Sequence, residues 1–308
     1  MNGIINVYKE RGFTSHDVVA KLRGILHMKK IGHTGTLDPD ATGVLPVCIG
    51  KATKVCGLLT DKDKTYRAVV KLGVTTNTED MTGEILSHHP VSITKEQIEM
   101  AVSKFVGEIE QIPPMYSAIK INGKKLYELA RQGKEVERKA RKVTIYEIKV
   151  LSIDFSENEF TMEVSCSKGT YIRTLCHDIG QKLGCGGYMK ELLRTRVERF
   201  GLEDSIRLGE IAQLQKEGIL EEKIIAIDEM FPTYAQVVLP PKTAAAVRNG
   251  NSFRKRDISQ ETALKEYEND ERVRVYDESH QFIAIYCYCR KDDLFKIVKM
   301  FFDGNEKK

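Results

Sequence analysis

Gly32-His33-Thr34-Gly35-Thr36-Leu37-Asp38-Pro39-Asp40-Ala41-Thr42-Gly43-Val44-Leu45 lies between two hydrophobic segments and is the most informative stretch of the chain. Its glycines, proline, histidine and two carboxylates mark a surface loop. Pro39 fixes its own φ and biases Asp38 toward an extended backbone, so the Asp38 carboxylate is held in place. Gly32, Gly35 and Gly43 permit tight turns and let a ligand come close to the backbone. Two readings of these residues stand side by side. One is an active-site loop that presents a rigid aspartate beside a histidine. The other is an Asp-Pro turn in which Thr42 or Asp40 caps a helix.

Outward from this loop, the chain mixes strands and helices. Residues 3–8, 64–72, 143–153 and 158–167 read as strands, and Val44–Ile49 as a strand or short helix. Thr14-Ser15-His16-Asp17 is a capping-box pattern, with Val18, Val19, Leu22, Ile25 and Leu26 on the apolar face of the helix it starts. Thr94–Phe105 reads as a helix. Thr170 is expected to open another, with Ile172, Leu175, Ile179 and Leu183 on one face and Gly184 at its end. Arg173 falls in the first turn of that helix, where the dipole disfavours a cation. Strands and helices mixed without strict βαβ alternation predict an α/β or α+β domain over residues 1–230. Pro232, Pro240 and Pro241 read as a linker. Beyond it, strands at Arg272–Tyr276, Gln281–Tyr288 and Leu294–Phe301 predict a small β-rich domain over residues 236–308.

At 308 residues, 41% hydrophobic and 30% charged, the composition is that of a globular protein with a proper core. No apolar run approaches a membrane span and the start carries no signal-peptide pattern, so a cytoplasmic location is expected. The seven cysteines contain no C-x-x-C, and Cys287 and Cys289 lack a second ligand pair nearby, so no metal site is expected. Net charge is +4, but Lys120–Lys142 carries nine basic residues against three acids, a local +6 on a remainder of −2. Such a stretch fits a contact with a polyanion, or a solvated helix face with a few ion pairs.

The loop resembles the catalytic motif of the TruB-type tRNA pseudouridine synthases. Three more segments match that family in order. Lys64-Thr65-Tyr66-Arg67 resembles its second motif, Ser167-Lys168-Gly169-Thr170-Tyr171-Ile172-Arg173-Thr174 its third, and Leu192–Arg196 its fourth. The resemblance implies a catalytic domain on a mixed, largely antiparallel sheet with flanking helices, followed by a PUA-like RNA-binding domain. It also implies isomerisation of the T-loop uridine at position 55 of tRNA to pseudouridine, with base flipping and without metal or cofactor.

Several roles follow from the resemblance. Asp38 is the essential carboxylate, ionised at neutral pH, with Arg173 pairing to it and lowering its pKa. Tyr66 packs against the target base and helps to remove the C5 proton. His33 supports the flipped base, and Leu192 lines the uracil pocket, although a leucine on a helix is core by default. Lys64, Lys124 and Lys125 bind substrate. The segment 111–142, from Gln111-Ile112-Pro113-Pro114-Met115-Tyr116 through Asn122-Gly123-Lys124-Lys125, resembles the insertion with which stand-alone enzymes grip the T stem-loop. A monomer needing no guide RNA or protein partner is therefore expected. The sequence departs from the family at Glu10, where Lys9 is usually followed by proline; reduced local rigidity is the expected consequence. Two other classes fit parts of the sequence. An RNA-binding module accounts for the +6 segment but gives no reason for an Asp38–Arg173 pair. A nucleoside hydrolase using Asp38 and Asp40 needs carboxylates facing each other across about 5–9 Å.

Overall fold

The strand Lys64–Leu72 alternates buried and less buried side chains along most of its length, as a strand covered chiefly on one face does. It lies near the middle of the main sheet in a computed structural model that describes residues 1–60, 62–121, 123–259 and 265–302. Among the described residues this sheet has nine strands. Its path runs Gly3–Lys9, Thr42–Ile49, Gly187–Val197, Lys64–Leu72, Glu159–Cys166, Arg141–Asp154 and Gly107–Gln111. Ile31–His33 pairs with Thr42–Ile49, and Phe200–Gly201 with Gly187–Val197. Lys64–Leu72 is antiparallel to both of its neighbours, whereas Thr42–Ile49 and Gly187–Val197 run parallel. The sheet is mixed and largely antiparallel, in an α+β fold.

The helix Ile172–Lys182 packs on this sheet through Ile172, Leu175, Cys176 and Ile179, which share a core with Val70, Phe160, Met162 and Val164. That packing fixes where Arg173 stands. Its N-cap is Tyr171, one position later than expected, and Thr170 instead donates its hydroxyl to the Ser167 carbonyl at 2.9 Å. The helix Ser15–Leu26 starts at the expected capping box: Asp17 N–H donates to Thr14 Oγ1 at 3.0 Å, and Thr14 N–H to Asp17 Oδ2 at 2.8 Å.

The chain divides into two compact units. One holds residues 5–48 and 54–220; the other holds residues 1–4, 49–53 and 221 onward. The second carries a four-stranded sheet in the order Ala235–Leu239, Arg272–Asp277, Phe282–Cys289, Leu294–Met300. Its core is aromatic: Phe253 stacks on Phe295 with ring centroids 4.8 Å apart, and Tyr288 and Tyr267 approach the same ring at 4.9 and 5.1 Å. The stretch read as a proline linker is partly structured. Ala235–Leu239 pairs parallel with Arg272–Asp277, and Pro241 opens the helix Pro241–Arg248, where its missing N–H costs nothing. No helix among the described residues is long and apolar enough to cross a membrane.

Gly43 is where the loop strand meets the main sheet. Its φ is +105°, and a Cβ there would overlap the backbone of Arg194, its partner in the parallel pairing. Gly43→Ala is expected to cost about 2–3 kcal/mol and lower Tm by roughly 5–10 °C in a thermal melt. An unchanged Tm would show that the two strands separate freely at this point.

Candidate active site

The loop turns where its sequence says it should. Ala41 N–H donates to the Asp38 carbonyl at 3.1 Å, which closes a β-turn with Pro39 at its second position. The turn is therefore present, but Asp40 and Thr42 cap no helix, because the chain runs straight on into the strand Thr42–Ile49. The turn's backbone is strapped down from several sides. Lys9 Nζ and Gly12 N–H both donate to the Pro39 carbonyl at 3.0 Å, and Ser15 Oγ accepts from Leu37 N–H at 2.9 Å. Arg194, fully buried on the strand Gly187–Val197, donates to the Val44 carbonyl at 2.7 Å and the Gly35 carbonyl at 3.3 Å. The departure at position 10 finds a partner too: Glu10 pairs with Arg207 at 3.1 Å, beside the Lys9 and Gly12 contacts.

A held backbone leaves the Asp38 side chain pointing at Arg173. Arg173 Nε lies 3.0 Å from Asp38 Oδ2, and Nη2 lies 3.4 Å from Oδ1, a two-pronged pairing. Nη2 also donates to the Tyr116 carbonyl at 2.8 Å, and Nη1 to the Thr78 carbonyl at 3.4 Å. Asp80 Oδ2 lies 3.8 Å from Nη1. The arginine side chain is 7% exposed, so these acceptors replace the water it has lost. Two carboxylates at the first turn of its helix offset the dipole that disfavours it.

Asp38 behaves differently from expectation. Its side chain keeps 39% exposure at the cleft, yet withdrawal from water pushes its carboxyl above the ordinary range. Arg173 pulls it down, Asp80 pushes it up, Lys9 pulls it down and Asp40 pushes it up. The pairing exists, but its lowering effect is outweighed by desolvation.

These groups line a cleft of about 1640 Å³. It exceeds the usual range of small-molecule pockets. Tyr66, Lys64 and Leu192 line the same cleft. Tyr66 is buried and its phenol is pushed up to about 12, chiefly by burial and against the pull of Arg194. Lys64 Nζ donates to the Thr60 carbonyl at 3.0 Å. Leu192 sits on a strand rather than a helix, half-buried against the core.

Three expected residues lie elsewhere. His33 is half-buried next to the loop and does not line the cleft; its Nδ1 accepts from Gly35 N–H at 3.3 Å, and it meets His16 edge-on at 5.2 Å. Burial, then His16, lowers its pKa, which makes it neutral at pH 7. Lys124 and Lys125 form a two-residue strand paired with Lys120–Ile121, outside the cleft lining. Lys125 Nζ donates to the Tyr127 hydroxyl at 3.1 Å, and Tyr127, with Arg131, Arg141 and Lys142, does line it. Asn122, quoted with this segment, lies outside the described residues.

Sequence reasoning missed Asp80. Its Oδ1 accepts from Thr82 N–H at 2.9 Å, Thr82 Oγ1 at 2.6 Å and Thr78 Oγ1 at 2.7 Å, so the carboxylate is locked in the loop between Val74–Thr76 and Ile85–His88. The Thr78-Glu79-Asp80-Met81-Thr82-Gly83 pattern announces a turn, but only the fold aims it at Arg173.

Residues 23–172 match the TruB family pseudouridylate synthase N-terminal domain, and residues 173–244 match the tRNA pseudouridylate synthase B C-terminal domain. The chain is similar to the tRNA pseudouridine synthase B of Lachnoclostridium phytofermentans, with 53% identity over 98% of this chain and 100% of that one. It is 42% identical to the protein of the same name from Bacillus cytotoxicus, over 100% of both chains. Among solved structures it is similar to a chain of an H/ACA RNP bound to a substrate RNA containing 2′-deoxyuridine. The TM-score is 0.71 at 26% identity, covering 98% of this chain and 86% of that one. A chain of a Cbf5-Nop10-Gar1 complex gives 0.71 at 27%, covering 97% and 85%.

Two titrations test these electrostatics. In ¹³C NMR of the free protein, the Asp38 carboxyl is expected to titrate above the ordinary value of about 3.9. Asp80→Asn removes a like charge and is expected to move that titration to lower pH; a titration that stays put would show that Asp80 exerts no field there. Lys9 is fully buried, and desolvation brings its pKa down to about 8. Its unfolded value is 10.5, so between these pH values the unfolded chain holds the extra proton. Lys9's contribution therefore makes stability rise with pH across that window. Denaturant unfolding at pH 7 and 9.5 is expected to show wild type gaining on Lys9→Met, and a constant difference would place the ammonium in water.

Proposed function

The chain belongs to the TruB family of pseudouridylate synthases, and from that premise we propose how its cleft isomerises a tRNA uridine. The product is pseudouridine at position 55 of the T loop. The C1′–N1 bond breaks, the uracil turns, and a C1′–C5 bond forms; the C5 proton is released and N1 gains one. Nothing is oxidised or reduced, so the conversion calls for no redox cofactor.

The observation that carries the assignment of roles is the two-pronged Arg173–Asp38 pair in the cleft. Asp38, ionised, is the carboxylate that assists bond breaking at the nucleoside. Arg173 fixes the direction of that carboxylate and stabilises its charge in a site partly closed to water. Tyr66 and Leu192 provide the apolar walls for the uracil ring. Tyr66 also helps to remove the C5 proton at the end of the reaction. His33 supports the flipped position from beside the loop, and Lys64 braces the rim.

Extruding the uridine from a stacked loop costs a few kcal/mol. The basic segment 120–142 supplies phosphate contacts that offset it, with Lys124 and Lys125 reaching backbone outside the cleft. An insertion of this kind supports action on the T stem-loop by a monomer, with neither guide RNA nor a protein partner. The 236–308 region is the PUA-like contributor to RNA affinity, and its final residues, 303–308, lie outside the described part. A family that modifies tRNA fits a cytoplasmic location for this enzyme.

The test uses a tRNA transcript tritiated at uridine C5, incubated with the protein alone. Release of one tritium per tRNA, mapped to the T loop and reduced at least roughly 10³-fold in Asp38→Ala, is the expected result. Free uracil in the supernatant would favour the hydrolase reading. No release by the wild-type protein would overturn the assignment.

A further inference from the structure

The helix that carries Arg173 has no cap of its own: its N-cap residue, Tyr171, offers no side-chain hydrogen bond to the first turn. The other half of a cap, a side chain that accepts from the N-cap's own N–H, comes from another part of the chain. Gln111, 2% exposed, ends the edge strand Gly107–Gln111. Its Oε1 accepts from Tyr171 N–H at 2.8 Å, and its Nε2 donates to the Tyr171 carbonyl at 2.9 Å. In a capping box, a Glu or Gln of the helix's own first turn reaches back to the N-cap N–H. Here Gln111 performs that function across 60 residues.

A few residues farther on, the same segment touches the helix again. The Tyr116 carbonyl accepts from Arg173 Nη2 at 2.8 Å. Gln111 and Tyr116 thus bracket the first turn, one on its backbone and one on the guanidinium. Gln111 is itself pinned by the pairing of its strand, opposite Arg141. On the far side, Thr174 Oγ1 donates to Glu79 Oε2 at 2.5 Å, which ties the turn to the loop that carries Asp80.

We propose that Gln111 is a positioning residue for Arg173: its amide caps the Arg173 helix in trans and sets the guanidinium in register with Asp38. This rests on the pseudouridylation reading. The amide does not touch Asp38 and does not itself line the cleft; its effect passes through the backbone of Tyr171, which does. Gln111 makes both contacts from a buried position, where its loss leaves the Tyr171 N–H without this partner while the Tyr171 carbonyl keeps its bond from Leu175 N–H at 3.1 Å.

The test measures single-turnover rate constants at saturating enzyme, with the Kd for the tRNA transcript read separately by filter binding. Gln111→Leu fills a similar volume and removes both hydrogen bonds. It is expected to slow the chemical step about tenfold or more while Kd stays within about twofold. Gln111→Glu keeps the acceptor for Tyr171 N–H and loses the donor to the carbonyl. It is expected to fall between wild type and Gln111→Leu, and it serves as the measurement if Gln111→Leu does not fold. A wild-type rate in either folded variant would overturn the proposal. So would a weakened Kd with an unchanged rate constant, which would place Gln111 in the RNA grip instead. An inactive wild-type protein in the same assay would count against the functional reading itself, so the two failures are distinguishable.

Discussion

A guanidinium that is almost wholly withdrawn from water has to be surrounded by acceptors, and the requirement to satisfy Arg173 organises this half of the protein. Leaving such a charge unpaired would cost several kcal/mol, so every contact partner is under constraint. The partners come from three places far apart in the chain: Asp38 on the loop, Thr78 and Asp80 on the cleft hairpin, and the Tyr116 carbonyl at the root of the basic insertion. Arg173 therefore works as a joint. Its helix is seated by apolar packing on the sheet, and everything that touches the guanidinium is registered to that helix.

Asp38 gains its fixed direction from the same logic applied to the backbone. The carbonyls of Gly35, Leu37, Pro39 and Asp40 all face donors, supplied by Arg194, Ser15, Lys9, Gly12 and Arg11. Once these are satisfied, the carboxylate has little freedom beyond its own χ angles. A proline after Lys9 would stiffen the strap through φ alone. This chain has Glu10 there, and places its carboxylate against Arg207 instead. A partly exposed pair of that kind contributes about 0–1 kcal/mol, so the contact of the buried Lys9 does more to hold the strap.

Much of this was legible in the sequence because it depends on local rules. Thr14 and Asp17 obey the capping box, the alternation of Lys64–Leu72 gives a strand, and Asp38-Pro39 gives a turn. What was not legible depends on distant contacts. Asp80 reads as turn chemistry, since nothing within its own loop requires Arg173. Gln111 reads as one polar residue among many, because its partner is 60 positions away. Leu192 was placed on a helix, but Arg194 beside it pairs in register with Tyr66 across two strands. Pro241 looked like a chain break, whereas at the first position of a helix proline is well tolerated. The net direction of the Asp38 pKa was missed for a related reason. A charge partner can be guessed from a motif, but the extent of desolvation is a property of the whole cleft.

The separation of charge follows from these constraints. The basic residues of segment 120–142 reach the cleft only through Arg131, Arg141 and Lys142, on its rim. Of the buried arginines that line the cleft, Arg173 is already engaged by two carboxylates and two carbonyls, and Arg194 by the Val44 and Gly35 carbonyls. A phosphate approaching that floor meets the negative ends of Asp38 and Asp80 and finds no uncommitted donor on Arg173. The rim attracts backbone and the floor repels it. This arrangement of charge favours a nucleotide that enters base-inward, with its phosphates toward Arg131, Arg141 and Lys142.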